Sequence, residues 1–184
     1  MICVKYLNGI MKIIDKKFLP LNFVIAIVSD TRNESTDKSG TVLEKKIQES
    51  GHFLFNKVFI KDEKVDIKKF FLNYVNEEKV NVIISTGGTG LTGRDSTPEV
   101  LKKIIDKEIP GFGELFRMIS YQKIGTSAIQ SRALGGIKNG KFLFSIPGSP
   151  SACKDAWDNI FKFQFDNRFK PCNLSDLIPR LNEK

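Results

Sequence analysis

The chain has 184 residues, 41% of them hydrophobic and 27% charged, with 29 basic against 21 acidic side chains and a formal net charge of +8. This is the composition of one globular domain that can bury a core without disulfides or metals, and it excludes a disordered chain. No apolar run approaches the ~20 residues of a membrane span, and the opening MICVKYLNGIMKIIDKK is broken by lysines and lacks a small-residue cleavage site, so a cytoplasmic protein is expected.

Cys3, Cys153 and Cys172 are odd in number with no CxxC spacing, which predicts reduced thiols rather than a disulfide framework or a zinc site. The net positive charge asks for an anionic partner. Lysines are interspersed with acids, as in EKKIQES and KDEKVDIKK, and no arginine-rich stripe or aromatic-basic repeat marks a nucleic-acid binder. A small anionic substrate or a solvated surface is therefore expected, with neither nucleic acid nor membrane as partner. Steeply salt-dependent binding is the property that would argue for nucleic acid instead.

In chain order, FVIAIVS (residues 23–29) is a continuous apolar, β-branched run, as in a parallel strand buried on both faces. SGTVLEKKIQESG follows as a helix, with Ser39 as N-cap, Leu43 and Ile47 one turn apart and Gly51 as the stop. HFLFNKVFI reads as a second strand. From Asp62 the period changes, because Ile67, Phe70, Phe71, Tyr74 and Val75 define one helical face. VNVIIST is a third strand and runs into a glycine-rich loop. Beyond that loop, Val100, Leu101, Ile104 and Ile105 make a helical stripe ended by Pro110, and residues 111–124 make another through Phe112, Leu115, Phe116 and Ile119. RALGGIKNGKFLFSIPG is a hairpin turning at Asn139-Gly140. The last long helix begins near Ser149 and faces inward with Ala152, Cys153, Ala156, Trp157, Ile160 and Phe161. Alternating strands and helices give an α/β fold, mostly parallel, with one antiparallel hairpin. Ligands in such sheets bind beyond the carboxyl ends of the strands, which directs attention to the loops after the first, second, third and last strands.

The loop after the third strand, within VIISTGGTGLTGRDSTPEV (residues 82–100), matches GxGxxG at Gly88, Gly90 and Gly93. A dinucleotide fingerprint, however, follows the first strand and needs its helix to open within the glycines. Here the helix starts later, at Pro98 with Thr97 as cap or with Ser96 and Glu99 as a capping box. No GK[ST] closes the run, so it is not a Walker A loop. What remains is a loop whose backbone N–H groups cradle a phosphate or carboxylate, with an acid, Asp95, able to hold a divalent cation. The competing reading is a structural loop with turn glycines.

STGGTGLTGRDSTPE resembles the signature loop of the MoaB/Mog family of molybdenum cofactor biosynthesis, shared with the G domain of gephyrin. VSDTRN with DKSGTVL, GHFLFNKVFIKDE, IPGFGELFRMISYQKIGTSAIQSRALGG and FSIPGSPSACKDAW are similar to further blocks of that family, in the same order. GFGELFRM and the Ala-Cys and Ala-Trp pairs of the last block are closer to the MoaB branch than to Mog. The resemblance implies a three-layer α/β sandwich with helices on both faces over residues 23–173. An N-terminal extension (1–22) and a C-terminal tail (174–184) flank it. The family start falls near Met11, leaving residues 1–10 without a counterpart beyond the alternative start Met1.

By the same resemblance the chain is an enzyme. Active members transfer AMP from Mg-ATP to the terminal phosphate of molybdopterin, giving adenylylated molybdopterin and pyrophosphate, with the substrate phosphate as nucleophile. Gly87, Gly88, Thr89 and Gly90, flanked by Thr86 and Arg94, match the phosphate-binding loop, and Asp95 matches its terminal acid. Asp62 falls where catalytic members carry an acid important for Mg-ATP turnover. Asp62 and Asp95 are thus the expected catalytic and Mg²⁺-binding acids, although the spacing of Asp62 also suits a helix N-cap. Pro147, Gly148 and Ser149 before the last helix are an expected phosphate contact. Ser127, Ser131 and Arg132 of the TS and SR blocks, and Asp37, Lys38 and Ser39 after the first strand, are expected near the pterin or its phosphate. His52 reads as a strand residue rather than a base. The implied partners are molybdopterin, ATP, further copies of the chain in a trimer or hexamer, and other molybdenum cofactor biosynthesis proteins. The alternative is a catalytically silent MoaB-type pterin-binding protein. Inactive members can carry glutamate at the position of Asp62, where this chain keeps the aspartate of the catalytic type.

Overall fold

The structure, a computed structural model, describes residues 12–183; Cys3, Met11 and the segment 1–10 lie outside the described residues. From β1 (Lys12–Ile13) the chain passes through β2 (Asn22–Val28), α1 (Ser39–Glu49), β3 (Phe53–Ile60), α2 (Lys64–Val75), β4 (Val82–Thr86), α3 (Thr97–Ile104), β5 (Lys107–Glu108) and α4 (Pro110–Ile124). A 3-10 segment (Gly125–Gln130) then leads to β6 (Leu134–Lys138), β7 (Lys141–Ile146), α5 (Pro150–Ala156), a π-helical turn (Trp157–Phe161), α6 (Lys162–Gln164), β8 (Phe169–Lys170) and a closing 3-10 segment (Ser175–Arg180). No helix among the described residues is long and apolar enough to cross a membrane.

Six strands form one sheet in the order β3-β2-β4-β7-β6-β5, while β1 and β8 pair separately. β3, β2, β4 and β7 are parallel; β6 and β5 are antiparallel additions. Residues of β2 divide between two cores by strand alternation. Phe23 and Ile25 join Leu43, Ile47, Phe116 and Trp157, whereas Val24, Ala26 and Val28 join Ile67, Phe71 and Leu101. Helices α1, α4 and α5 therefore cover one face and α2 and α3 the other, which is the three-layer sandwich expected, and it explains why FVIAIVS is apolar throughout. The half-exposed β3 lies at the sheet edge and keeps Asn56 and Lys57 among its apolar residues, as edge strands do. At the hairpin, Asn139 (φ 48°) and Gly140 (φ 73°) supply the two left-handed residues of a two-residue turn, and Lys138 pairs with Lys141.

Two local expectations are corrected. Ser39 does not cap α1, because it is already helical; the N-cap position is Lys38, and Asp37 just before it accepts from the Gly40 amide through Oδ1 at 2.8 Å. In α4 the buried stripe runs through Phe112, Gly113, Phe116 and Ser120, and Leu115 stays exposed. Gly113 packs against the Ala133 carbonyl, where a Cβ would stand only 2.6 Å away, and this approach turns Leu115 outward. At the carboxyl end of the chain, Leu174, Ile178 and Leu181 pack against the first core.

His52 is buried between the rings of Phe18 and Phe23, with its Nδ1 accepting from the Leu21 amide at 3.1 Å. Burial pushes its imidazole down to about 4, against an opposing pull from Asp166. The folded value lies below the unfolded one, so between the two the unfolded chain binds more protons. Stability from this group is present above pH ~6.5 and is lost as pH falls toward 4, at up to ~1.4 kcal/mol per pH unit. Urea unfolding at pH 7 and pH 5 is expected to show the wild type losing about 1–2 kcal/mol more than His52→Asn, whose amide oxygen can still accept from Leu21. Equal losses would remove His52 from the acid response.

Candidate active site

Loops after β2, β3, β4 and β7 meet beyond the carboxyl ends of these parallel strands. The loop after β4 sets the geometry. Gly87 (φ 107°) and Gly88 (φ 63°) take successive backbone conformations that favour glycine. The Gly87 amide donates to the Ile146 carbonyl at 3.1 Å, and the Gly88 carbonyl accepts from the Thr97 amide at 3.0 Å. The loop is thereby pinned to β7 on one side and to the head of α3 on the other. A Cβ on Gly87 would overlap the Val28 carbonyl oxygen, and one on Gly148 would lie 3.1 Å from Gly87 Cα. Three strand ends thus touch through bare backbone. Among the described residues the amides of Gly88 and Thr89 have no acceptor, and adjacent free amides form a seat for an anionic oxygen.

Asp95 closes the far end of this loop. Its Oδ2 accepts from the Thr92 amide at 3.0 Å and from the Thr92 hydroxyl. The hydroxyl bond above all, helped by the Thr92 and Gly90 amides, holds the carboxyl below the usual carboxylate range. Arg132 braces the loop from behind, donating from Nε to the Thr89 carbonyl at 3.2 Å and from Nη2 to the Asp95 carbonyl at 2.8 Å, while Nη1 pairs with Glu99. The Ser96–Glu99 capping box is therefore not formed; Glu99 is engaged by Arg132, and Ser96 Oγ is buried without a partner. α3 begins beyond the glycines, so the dinucleotide geometry is not built.

Asp62 does not cap α2, whose N-cap position is Glu63. The Asp62 amide donates to Asp30 Oδ1 at 3.3 Å, and its own Oδ1 is buried with no hydrogen-bond partner. That oxygen lies 2.8 Å from where a Cβ on Gly88 would stand, and Thr97 Oγ1, also buried and unpartnered, reaches the same space. Burial first, then the charges of Asp95 and Asp30, push the Asp62 carboxyl above the ordinary aspartate range against the pull of Arg94. Arg94 bridges Asp30 at 2.9 Å and Glu63 at 3.0 Å. Two buried oxygens without partners at one point are costly unless a ligand satisfies them.

The opposite wall is a hydrogen-bonded seam. Ser39 Oγ donates to the Gly148 carbonyl at 2.7 Å, and Arg32 Nη1 donates to the same carbonyl at 3.0 Å and to Ser39 Oγ at 2.8 Å. Thr86 Oγ1 donates to the Pro147 carbonyl at 3.1 Å and meets Cys153 Sγ at 3.2 Å. Burial pushes the Cys153 thiol up to about 12, so it stays protonated and inert. Ser149 Oγ caps α5 by accepting from the Ala152 amide at 3.1 Å. Asp37 lies beneath, with Oδ2 3.5 Å from Lys57 Nζ.

Of the residues singled out in the sequence, Asp62, Gly87, Gly88, Thr89, Gly90, Arg94 and Asp95 come together around the glycine loop. Asp37, Ser39, Thr86, Pro147, Gly148 and Ser149 form the framework of the seam. Arg132 braces the loop, and the adjacent Ser131 Oγ is buried without a partner. Ser127 stands exposed on the 3-10 segment and makes no hydrogen bond to the loop. Asp30, Arg32 and Glu63 carry no role in the sequence reading, and Thr97 is read there only as a helix cap, yet all four belong to this site, Thr97 as the first residue of α3 behind Ser96; for Asp30 and Arg32 the available signal is their place after β2. Among the described residues no group of three or more His, Cys, Asp or Glu side chains could hold a metal ion. A divalent cation here would be held by Asp62 together with ligand oxygens and water, which is how Mg²⁺ is commonly bound beside phosphates.

A family model described as "Probable molybdopterin binding domain" matches residues 24–167. The chain belongs to the MoaB/Mog family. Molybdenum cofactor biosynthesis protein B of Escherichia coli (strain K12) is 42% identical over 164 residues, which cover 89% of this chain and 96% of that protein. The protein of the same name from Bacillus cereus is 47% identical over 137 residues, covering 74% of this chain and 81% of that one. A crystal structure of molybdenum cofactor biosynthesis protein B has a TM-score of 0.83 at 39% identity, covering 92% of this chain and 100% of the other. The matched span of the MoaB/Mog chain contains all four loops of the site.

Proposed function

We propose that this MoaB/Mog chain acts in molybdenum cofactor biosynthesis by binding molybdopterin and transferring AMP to it from Mg-ATP. The terminal phosphate oxygen of the pterin attacks the α-phosphorus of ATP, the bond from that phosphorus to the bridging oxygen breaks, and pyrophosphate leaves. The observation that carries this reading is the buried, unpartnered Asp62 Oδ1 beside Gly88, next to the equally unpartnered Thr97 Oγ1, on a loop whose Gly88 and Thr89 amides have no acceptor among the described residues. A carboxylate oxygen next to N–H donors suits a phosphate with its Mg²⁺, because the cation takes the acid and the amides take the anionic oxygens. Mg²⁺ would offset the charge that builds up on the phosphates. Asp62 would hold the cation, Asp95 keeps the loop closed through Thr92, and Arg132 fixes the loop from behind.

Exposed Leu115, Met118, Tyr121, Ile124 and Ile129 on α4 and the adjoining 3-10 segment support a second element of the proposal, a closed trimer or hexamer of the chain. The reaction is tested by incubating the purified protein with molybdopterin, MgCl₂ and ATP and separating the products by chromatography. Adenylylated molybdopterin and an equal amount of pyrophosphate are expected. Bound molybdopterin with no product would replace this reading by that of a silent pterin-binding protein.

A further inference from the structure

The two arginines on the glycine loop and behind it are matched by carboxylates, Arg94 by Asp30 and Glu63 and Arg132 by Glu99. Arg32 is not. Among the described residues it has no carboxylate within ion-pair distance, and its side-chain hydrogen bonds are two, both from Nη1, to Ser39 Oγ and the Gly148 carbonyl. The guanidinium is half-buried, and its Nε and Nη2 donors have no acceptor among the described residues. A guanidinium carries five N–H donors, and leaving it partly desolvated without an anion is unfavourable.

Its position adds direction. Arg32 and Asp30 stand two residues apart on one loop but turn to opposite sides. Asp30 turns toward Arg94 and the Asp62 amide, and Arg32 toward Gly148. Strands β3, β2, β4 and β7 lie side by side in that order, so Asp62 and Glu63 sit at the β3 end of the row and the Arg32 contact sits at the β7 end. Gly148, which Arg32 holds, is packed against Gly87 at the start of the glycine loop. Across the mouth the charge therefore passes from a cluster of acids to an unmatched cation. A metal-loaded polyphosphate belongs at the acidic end, because its cation needs a carboxylate. A phosphate without a metal of its own belongs at the other, where an arginine can give two parallel N–H bonds.

We propose that Arg32 binds the terminal phosphate of the pterin substrate through its free Nε and Nη2 donors, on the Gly148 side of the glycine loop. This rests on the reading that the chain binds molybdopterin, and it assigns the two anionic substrates to opposite ends of the site.

The test is equilibrium binding of molybdopterin and of its dephosphorylated form to the full-length wild type, Arg32→Gln and Arg32→Lys, without nucleotide or metal. Arg32→Gln is expected to weaken molybdopterin binding about 10- to 100-fold, as loss of a charge-assisted bond does, and to leave the dephosphorylated ligand unaffected. Arg32→Lys keeps the charge and the fold of the seam and should recover part of the loss. The dependence of affinity on salt should be shallower for Arg32→Gln than for the wild type. Equal weakening for both ligands would make Arg32 a structural residue and overturn the proposal, as would unchanged molybdopterin binding. A wild type that binds neither ligand would overturn the pterin reading and this inference together, whereas binding of both with no discrimination by Arg32→Gln would overturn this inference alone.

Discussion

Asp62→Asn is expected to lower the rate of adenylyl transfer about 10²- to 10³-fold, the usual cost of removing one group that stabilises charge during phosphoryl transfer. Molybdopterin binding should persist if, as proposed, the pterin phosphate is held at the Arg32 end of the site and not at the acidic one. The same substitution should not destabilise the fold. Burial, Asp95 and Asp30 raise the Asp62 carboxyl above its ordinary value. A raised carboxyl favours the folded state at acid pH, where it is protonated, and that contribution is lost as pH rises through the raised value. At neutral pH the ionised acid is thus a cost, and the neutral isostere relieves it. Tm should hold or rise by about 1–2 °C while activity falls, the trade between stability and function that active-site charges impose. Thermal unfolding beside the transfer assay checks both halves. A fall in Tm with the loss of activity would mark Asp62 as structural.

The adjacent glycines should separate fold from function in a different way. At Gly87 an added Cβ would overlap the Val28 carbonyl, which is strand backbone and cannot move aside, and φ is 107°. Gly87→Ala is expected to cost about 3 kcal/mol or more, lowering Tm by roughly 6–12 °C. At Gly88 the atoms met are side-chain oxygens, Thr97 Oγ1 and Asp62 Oδ1, and φ of 63° is reachable by alanine at a cost of ~1–2 kcal/mol. Gly88→Ala should therefore fold and fail to bind Mg-ATP, because its methyl group fills the space that the phosphate would occupy. Thermal unfolding and nucleotide titration of the two variants decide it. If Gly88→Ala binds Mg-ATP as the wild type does, the phosphate lies elsewhere.

Much of this site was readable from the chain because its parts obey local rules. A strand that ends in GGTG announces a loop with unusual backbone angles, and strand order puts loop ends on one edge. Asn139-Gly140 could be read for the same reason, since its turn is decided by two residues. What stayed hidden depends on partners far away in sequence. Ser39 reads as a cap by spacing. Only the fold shows that Ser39 is taken by Gly148, leaving Asp37 to bond Gly40. Asp62 likewise fits a cap by spacing, yet its side chain is drawn into the space beside Gly88. Glu99 matches a capping box until Arg132 arrives from the far side of α4. Arg32 in VSDTRN gives no local hint that its guanidinium is left without a carboxylate.

The decisive measurement is a crystal structure of the protein with molybdopterin, Mg²⁺ and a non-hydrolysable ATP analogue. The expected result is Mg²⁺ at ~2.1 Å from Asp62 Oδ1, with phosphate oxygens of the nucleotide on the Gly88 and Thr89 amides. Nucleotide phosphates bound away from the glycine loop, with Asp62 Oδ1 still lacking a partner, would contradict the proposed reaction.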